Sequence, residues 1–490
     1  MRNIYKISIA LVLLLTIGCS KEFLDPVPQT SLSDLSVFDT KDRVVAQVNG
    51  MYARMKSGAF LGGRFFVYND VRADNFIPKS SNLVTNFASW NHTEVSSTNE
   101  VQNCWGAIYA AVNSINVFND GLTAAWDGGV LEGIITQAEY DQFRSEALAL
   151  RAMCYFDLLQ LYAKPYNQGS GSNPGVPLRL TAQKSSEGND LARSTVAEVY
   201  TQILKDLNDA EPLAIDKYTT DLLNTTRVHK NTIIALKTRV YLHMQDWAKV
   251  VSESAKIVSA TAPFTAPSGV AFALNPSYAG IFATPYTSKE SIFSMPMTTT
   301  DGPGTQNGLP HYFSYLSSES YYLVTAPGSL YATMDATDVR KTSLFLSGTN
   351  YFITKFPDYT TLTNYCPVMR YAEVLLNRAE AIVRGGGAVT QEAIDLLNAV
   401  RTRSFATGAY TPASFASATD FYTAILLERN MEFLGEGIRT MDLMRLSIPF
   451  PAKDGGGMGI VPAIPSTSVG YIWPIPANEL SLNKLMTPNQ

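Results

Sequence analysis

A chain of 490 residues is long enough to bury a substantial core and to build more than one structural layer. Its 46% hydrophobic and 17% charged residues are ordinary for a globular protein, and its formal charge of −5 includes no long basic run, which argues against nucleic acid as a partner. Beyond the N-terminus no apolar stretch reaches the length of a membrane helix.

The chain begins with Arg2 and Lys6, followed by an almost unbroken apolar stretch from Ile7 to Ile17 and then Gly18 and Cys19. That stretch is too short to span a bilayer stably but fits the hydrophobic region of a secretory signal. The tetrad Thr16-Ile17-Gly18-Cys19 looks like a bacterial lipobox, so 1–18 reads as a lipoprotein signal peptide cut before Cys19. Thr16 stands where such a motif prefers leucine, which keeps open a plain signal peptide with an incidental cysteine. With lipid on the Cys19 thiol, each buried methylene adds about 0.8 kcal/mol and the protein is tethered to a membrane rather than spanning it. Residues 19–38 form a polar, proline-bearing leader, and 39–490 a single body.

Within the body, apolar spacing predicts helices at Thr40–Lys56, Glu100–Asn119, Gln137–Tyr162, Val196–Asn208, Lys230–Met244, Trp247–Ser259, Val368–Arg384, Thr390–Thr402 and Thr419–Gly435. Thr195 with Glu198 and Thr390 with Gln391 and Glu392 are N-terminal caps, while Gly385-Gly386-Gly387 is a stop. Two stretches share a helix–turn–helix rhythm, one around Gln245 and one around the three glycines. Small residues at Ala235, Ala248, Ala379 and Ala393 would let the paired helices approach closely. This is a degenerate, interrupted tetratricopeptide-like pattern. The expected class is therefore mostly α, with helix-pair scaffold over 40–260 and 367–445. A long insert, 261–366, is rich in Gly, Pro, Thr, Ser and Tyr; its aromatic content argues against disorder and its length for function.

Chemistry-bearing motifs are few. Cys104, Cys154 and Cys366 lie in apolar surroundings and read as buried free thiols. The four histidines are scattered, and no metal or cofactor motif is visible. Glu428, Glu432 and Glu436 are four apart and would line one helix face, which could suit a glycosidase. Arg429, Arg439 and Arg445 are interleaved with them, and Arg401 and Arg403 are close, so a structural ion-pair network is the expectation. No phosphate loop, nucleophile elbow or catalytic triad context occurs, which leans toward binding rather than catalysis.

The binding-like features are aromatic and amide groups. Trp90-Asn91 sits in a polar stretch, where an exposed indole could stack on a pyranose while the amide bonds its hydroxyls; the alternative is a tryptophan folded onto the body. Tyr312, Phe313, Tyr315, Tyr321 and Tyr322 form a second cluster, some of it core and some able to face a ligand. In DVRADNF, the alternation Asp70, Arg72, Asp74, Asn75 could bond a polyol or tie a loop to a helix.

Several motifs in order carry a resemblance. They are CSKEFLDPVP, DVRADNF, WGAIYAAVNSIN, SEALALRAMCYFDLLQLYA, YFITKF, MRYAEVLLNRAEAI, LNAVRTRSF, ERNMEFLGEGIRTMDLMRL and the terminal WPIPANELSLNKLMTPNQ. Over essentially its whole length the chain resembles the SusD/RagB family of Bacteroidetes outer-membrane lipoproteins. The resemblance implies a SusD-like body of about four tetratricopeptide-like helix pairs carrying irregular inserts. It also implies a surface protein that captures an oligosaccharide, without catalysis or cofactor, and hands it to a SusC-like TonB-dependent barrel. Carried over by position, it points to Trp90, Asn91, Asp74 and Asn75 on one side and Tyr312, Tyr315 and Tyr322 on the other as ligand-binding residues. The runners-up are a scaffold that docks the transporter without binding sugar, and a glycoside hydrolase.

Overall fold

The computed structural model describes residues 36–489. Cys19, the signal sequence and most of the leader lie outside the described residues. About half of the protein is helical, at 49%, and its strands form short two-stranded pairs.

The scaffold helices largely follow the apolar periodicity. Helix α1 (Lys41–Met55) buries Val44, Val48, Met51 and Met55 on one stripe and is capped by Thr40, whose hydroxyl accepts from the Arg43 N–H at 3.3 Å. Two elements without a clear period follow, the wholly buried α2 (Arg64–Val71) and the short α3 (Phe87–Asn91). Helix α4 (Asn99–Asp127) runs eight residues past the expected end at Asn119. Gly121 does not stop it, because the Phe38 ring occupies the place a Cβ would take; the glycine is there for close approach.

Helix α5 (Gln137–Tyr162) begins at a capping box of Thr136 and Glu139 and is buried all round along its second half. It is the central post, packed between α4 and α6 (Val196–Ala210). Helix α7 (Lys230–Met244) ends at Gln245 in the left-handed conformation, and Asp246 caps α8 (Trp247–Ser254). Helix α8 is shorter than expected, with residues 255–257 continuing as turn. The second rhythmic stretch gives α9 (Tyr371–Gly386) and α10 (Gln391–Ser404), joined through left-handed Gly387. Ala235, Ala379 and Ala393 are fully buried between paired helices. Ala248 is exposed, and the close approach is made instead where Gly385 meets Trp247.

Residues 368–370, expected to open α9, are strand instead. They end β6 (Cys366–Arg370), paired antiparallel with β2 (Ser291–Met295), both entirely buried. Helices α11 (Ala418–Glu432) and α12 (Arg439–Arg445) close the scaffold. The insert carries β2, β3 (Tyr321–Leu323), β4 (Phe345–Ser347) and β5 (Asn350–Phe352), and β3 pairs with β1 (Phe76–Pro78) from the scaffold side.

Cys104, Cys154 and Cys366 are buried free thiols, and burial pushes each thiol's pKa upward. Burial also raises the Asp157 carboxyl on α5 to about 8 against the pull of Arg239, and its Oδ2 has no hydrogen-bond partner. A carboxyl whose folded pKa exceeds its unfolded value near 3.8 stabilises fully below that value, and the contribution is lost as pH rises toward 8. Asp157→Asn is therefore expected to flatten the fall in unfolding free energy between pH 4 and 8 by more than about 1 kcal/mol, as read by urea titrations across that range.

Candidate ligand-binding face

The three glutamates on and beyond α11 are part of a buried ion-pair network, as their arginine company predicted. Glu428 pairs with Arg340 and with Arg401 at 2.9 Å; Glu432 pairs with Arg370 at 3.0 Å and Arg403 at 2.5 Å; Glu436 pairs with Arg370 at 2.7 Å and Lys355 at 2.5 Å. Glu290 completes it against Arg370 and Arg403. Burial alone would raise the Glu432 pKa, but the charges of Arg403, Arg370 and Arg340 overcome it and hold the carboxyl at about 2. A carboxyl held that low is a poor proton donor, so this row has the chemistry of a structural lock.

The DVRADNF segment is committed in the same way. Asp70 accepts from the Gly437 N–H at 2.8 Å; Arg72 donates to the Tyr471 carbonyl at 3.2 Å and faces Glu94 at 3.4 Å. Asn75 is buried and donates to Asn430 at 2.7 Å, which removes it from the ligand set. Asp74 is held by both arms of Arg439 at 2.9 Å and stays partly exposed. The segment is the clasp between α2 and α12.

Two of the expected aromatic contacts are corrected by burial. Trp90 is 0% exposed: it lies in α3, stacks on Phe87 with ring centroids 5.6 Å apart, and donates its indole N–H to the Phe76 carbonyl at 2.7 Å. Gly455 passes so close beneath its ring that a Cβ there would collide with the indole. In this arrangement the ring is closed to a pyranose. Tyr312 is also 0% exposed, with its hydroxyl donating to the Gln306 carbonyl at 2.7 Å. Asn91 is half-buried and its side-chain carbonyl accepts from the Thr93 hydroxyl at 2.6 Å.

Tyr315 and Tyr322 remain, and the structure gives them neighbours that sequence reasoning missed. Tyr315 stacks on Phe345 with centroids 4.1 Å apart and planes 27° apart, and the two are 39% and 40% exposed. Paired large rings at that exposure present a flat apolar surface to solvent. Cross-strand partners share a sheet face, so Ile77 lies beside Tyr322 and Phe345 beside Phe352. Tyr322 comes within 6.2 Å of the Phe352 ring, joining the two ladders. Lys79 crosses 5.6 Å above Phe352 and donates to the carbonyls of Ser317 at 2.6 Å and Tyr315 at 3.2 Å, fixing the loop that carries the stacked tyrosine. The segment FLSGTNYF holds the missed signal: aromatic residues either side of a Gly-containing turn read as a hairpin.

Beside this face opens a cleft of about 570 Å³, within the range of small-molecule sites. Asp74 and Ile77 form its floor, the loop 324–330 one wall, and residues 451–454 and Gly456 the other. Lys453, at its base, is buried; its ammonium donates to the carbonyls of Val71 at 3.0 Å and Arg72 at 3.4 Å, and to that of Trp90. Burial lowers its pKa to about 7 in spite of Glu94.

The comparisons with known proteins assign this helix-pair body with its irregular insert to a family. Residues 22–242 match a family described as SusD-like, starch-binding and associating with the outer membrane, and residues 311–490 match the SusD family proper. The SusD-like protein P2 of Formosa agariphila is 25% identical over 99% of both chains. A SusD superfamily protein from Bacteroides fragilis superposes with a TM-score of 0.81 at 32% identity, over 92% of this chain and 100% of that one. A laminarin-binding SusD-like protein shares the fold at a TM-score of 0.71 and 22% identity, over 92% of this chain and 99% of that one. The chain belongs to the SusD/RagB family. Among the described residues no helix is long and apolar enough to cross a membrane.

Proposed function

We propose that this protein is a non-enzymatic, cell-surface glycan-binding lipoprotein, anchored to the outer membrane through Cys19, that passes oligosaccharide to a SusC-like TonB-dependent barrel. The observation that carries the reading is the exposed Tyr315–Phe345 stack on the irregular face of a SusD fold. Sugar CH groups pack on such rings while hydroxyls find polar edges, here the partly exposed Asp74 and the polar walls of the adjoining cleft. Tyr322 extends the same face. The family's description as starch-binding and a relative that binds laminarin both favour a glycan as the cargo.

Calorimetric titration with laminari-, malto- and xylo-oligosaccharides tests it. Saturable binding without cleavage is expected, and Tyr315→Ala with Phe345→Ala should weaken it at least about tenfold, the equivalent of one lost stacking contact. The melting temperature should fall by no more than a few degrees, because both rings are partly exposed and the stack contributes about 0.5–1.5 kcal/mol. Hydrolysis of any of these sugars, or full affinity in the double variant, would overturn the reading.

A further inference from the structure

The aromatic platform and the 570 Å³ cleft adjoin through the β1–β3 ladder. Ile77 lines the cleft and is the register partner of Tyr322 in the β1–β3 ladder, so the cleft floor and the aromatic ridge lie side by side on one sheet face. From Tyr322 the ring contacts run through Phe352, itself buried beneath the Lys79 ammonium, to the exposed Phe345 and Tyr315. A ligand seated only on the stacked pair would leave the cleft empty, and a ligand seated only in the cleft would leave two large rings in water.

The charges at the cleft narrow its chemistry. Lys453, the cation lining it, spends its ammonium protons on three backbone carbonyls. Arg439, beneath the floor, is committed through both arms to Asp74. The exposed carboxylate of Asp454, held by the Gly456 N–H at 2.8 Å, faces the same space. On the aromatic side the half-buried Lys79 donates to the carbonyls of Ser317 and Tyr315, so each cation along the surface is already engaged, whereas carboxylates, the Ser329 and Thr325 hydroxyls and apolar proline rings suit an uncharged polyol.

Resting on the glycan reading above, we propose that the platform and cleft form a continuous track for an extended, uncharged glycan chain, with one segment stacked on Tyr315–Phe345 and a further segment seated between residues 324–330 and 451–456. The consequence is an affinity that grows with chain length, and only for neutral chains.

The test is calorimetry with di-, tetra- and hexasaccharides of laminarin, of amylose and of polygalacturonic acid. At least one neutral series should bind about tenfold tighter as hexasaccharide than as disaccharide, and the galacturonides should show no such gain. Ala452→Trp and, from the opposite wall, Ala326→Trp put an indole into the cleft from exposed positions. Each should abolish the gain with length while leaving disaccharide affinity and the melting temperature unchanged. A gain that survives both substitutions, no gain in the wild type, or galacturonide binding equal to the neutral series would overturn the track and leave the platform reading standing. Failure of every oligosaccharide to bind would overturn both.

Discussion

Arg370→Met is expected to lower the unfolding free energy by about 3–5 kcal/mol, the range for removing one partner from a buried charge network. Arg370 is the hub: its guanidinium reaches Glu290, Glu432 and Glu436 and donates to the Glu432 carbonyl at 3.2 Å. It sits at the junction of β6 and α9, so the network ties the buried β2–β6 pair to α11. Methionine fills part of the volume but leaves those carboxylates facing fewer positive charges, and Arg403 and Lys355 cannot neutralise all of them. Arg370→Lys should fall between, since one ammonium replaces a five-donor fork. Urea unfolding followed by circular dichroism measures both, and a loss under about 1 kcal/mol for the methionine variant would show the network to be dispensable.

The pH dependence has a definite sign. Glu432 is depressed from 4.5 to about 2 in the folded state, so its contribution is present above pH 4.5 and drains away as pH falls toward 2. In the Arg370→Met protein that acid-side loss should shrink, because Arg370 is among the charges that depress the carboxyl.

What could be read from the sequence divides by the kind of physics involved. Helices α5 and α7 fall on their expected residues because they carry local signals: apolar period, and for α5 a capping box. The glutamate row was legible as ion pairs because arginine and glutamate at helical spacing have few other low-energy arrangements when buried. Val368–Arg370 suit either a helical or a strand period, and only pairing with β2 more than seventy residues earlier makes them the end of β6. The same limit applies to the ligand face. Tyr315 and Phe345 are thirty residues apart, and nothing local says that the hairpin of β4 and β5 folds beside the β1–β3 ladder. Tyr312 and Tyr315 show the converse difficulty. They are near neighbours in one cluster, yet one is core and the other is surface, because the short helix Leu309–Phe313 ends between them.

Trp90→Ala is expected to cost about 3–5 kcal/mol of stability and to lower the melting temperature by several degrees, the effect of emptying a large buried site. The polar sequence around Trp90 suggested an exposed sugar platform, but three contacts oppose that. Its ring is stacked on Phe87, its N–H is spent on Phe76, and Gly455 closes over its edge. The Lys453 ammonium lies 5.2 Å from the ring centre, so the indole backs a residue that lines the cleft. Removing it should loosen the 451–456 loop and the Phe76 end of β1 together. Trp90→Phe keeps the stack but not the hydrogen bond and should recover most of the loss. Binding separates structure from ligand contact: at a temperature where Trp90→Ala remains folded, a disaccharide held on Tyr315 and Phe345 should bind within about threefold of wild type, as expected for independent sites. Hexasaccharide affinity should fall further, since it draws on the disturbed cleft. If Trp90→Ala melts like the wild type and loses the disaccharide, the indole is reached by ligand through a rearrangement of α3; if it melts early and keeps the disaccharide, its work is to hold the face in place.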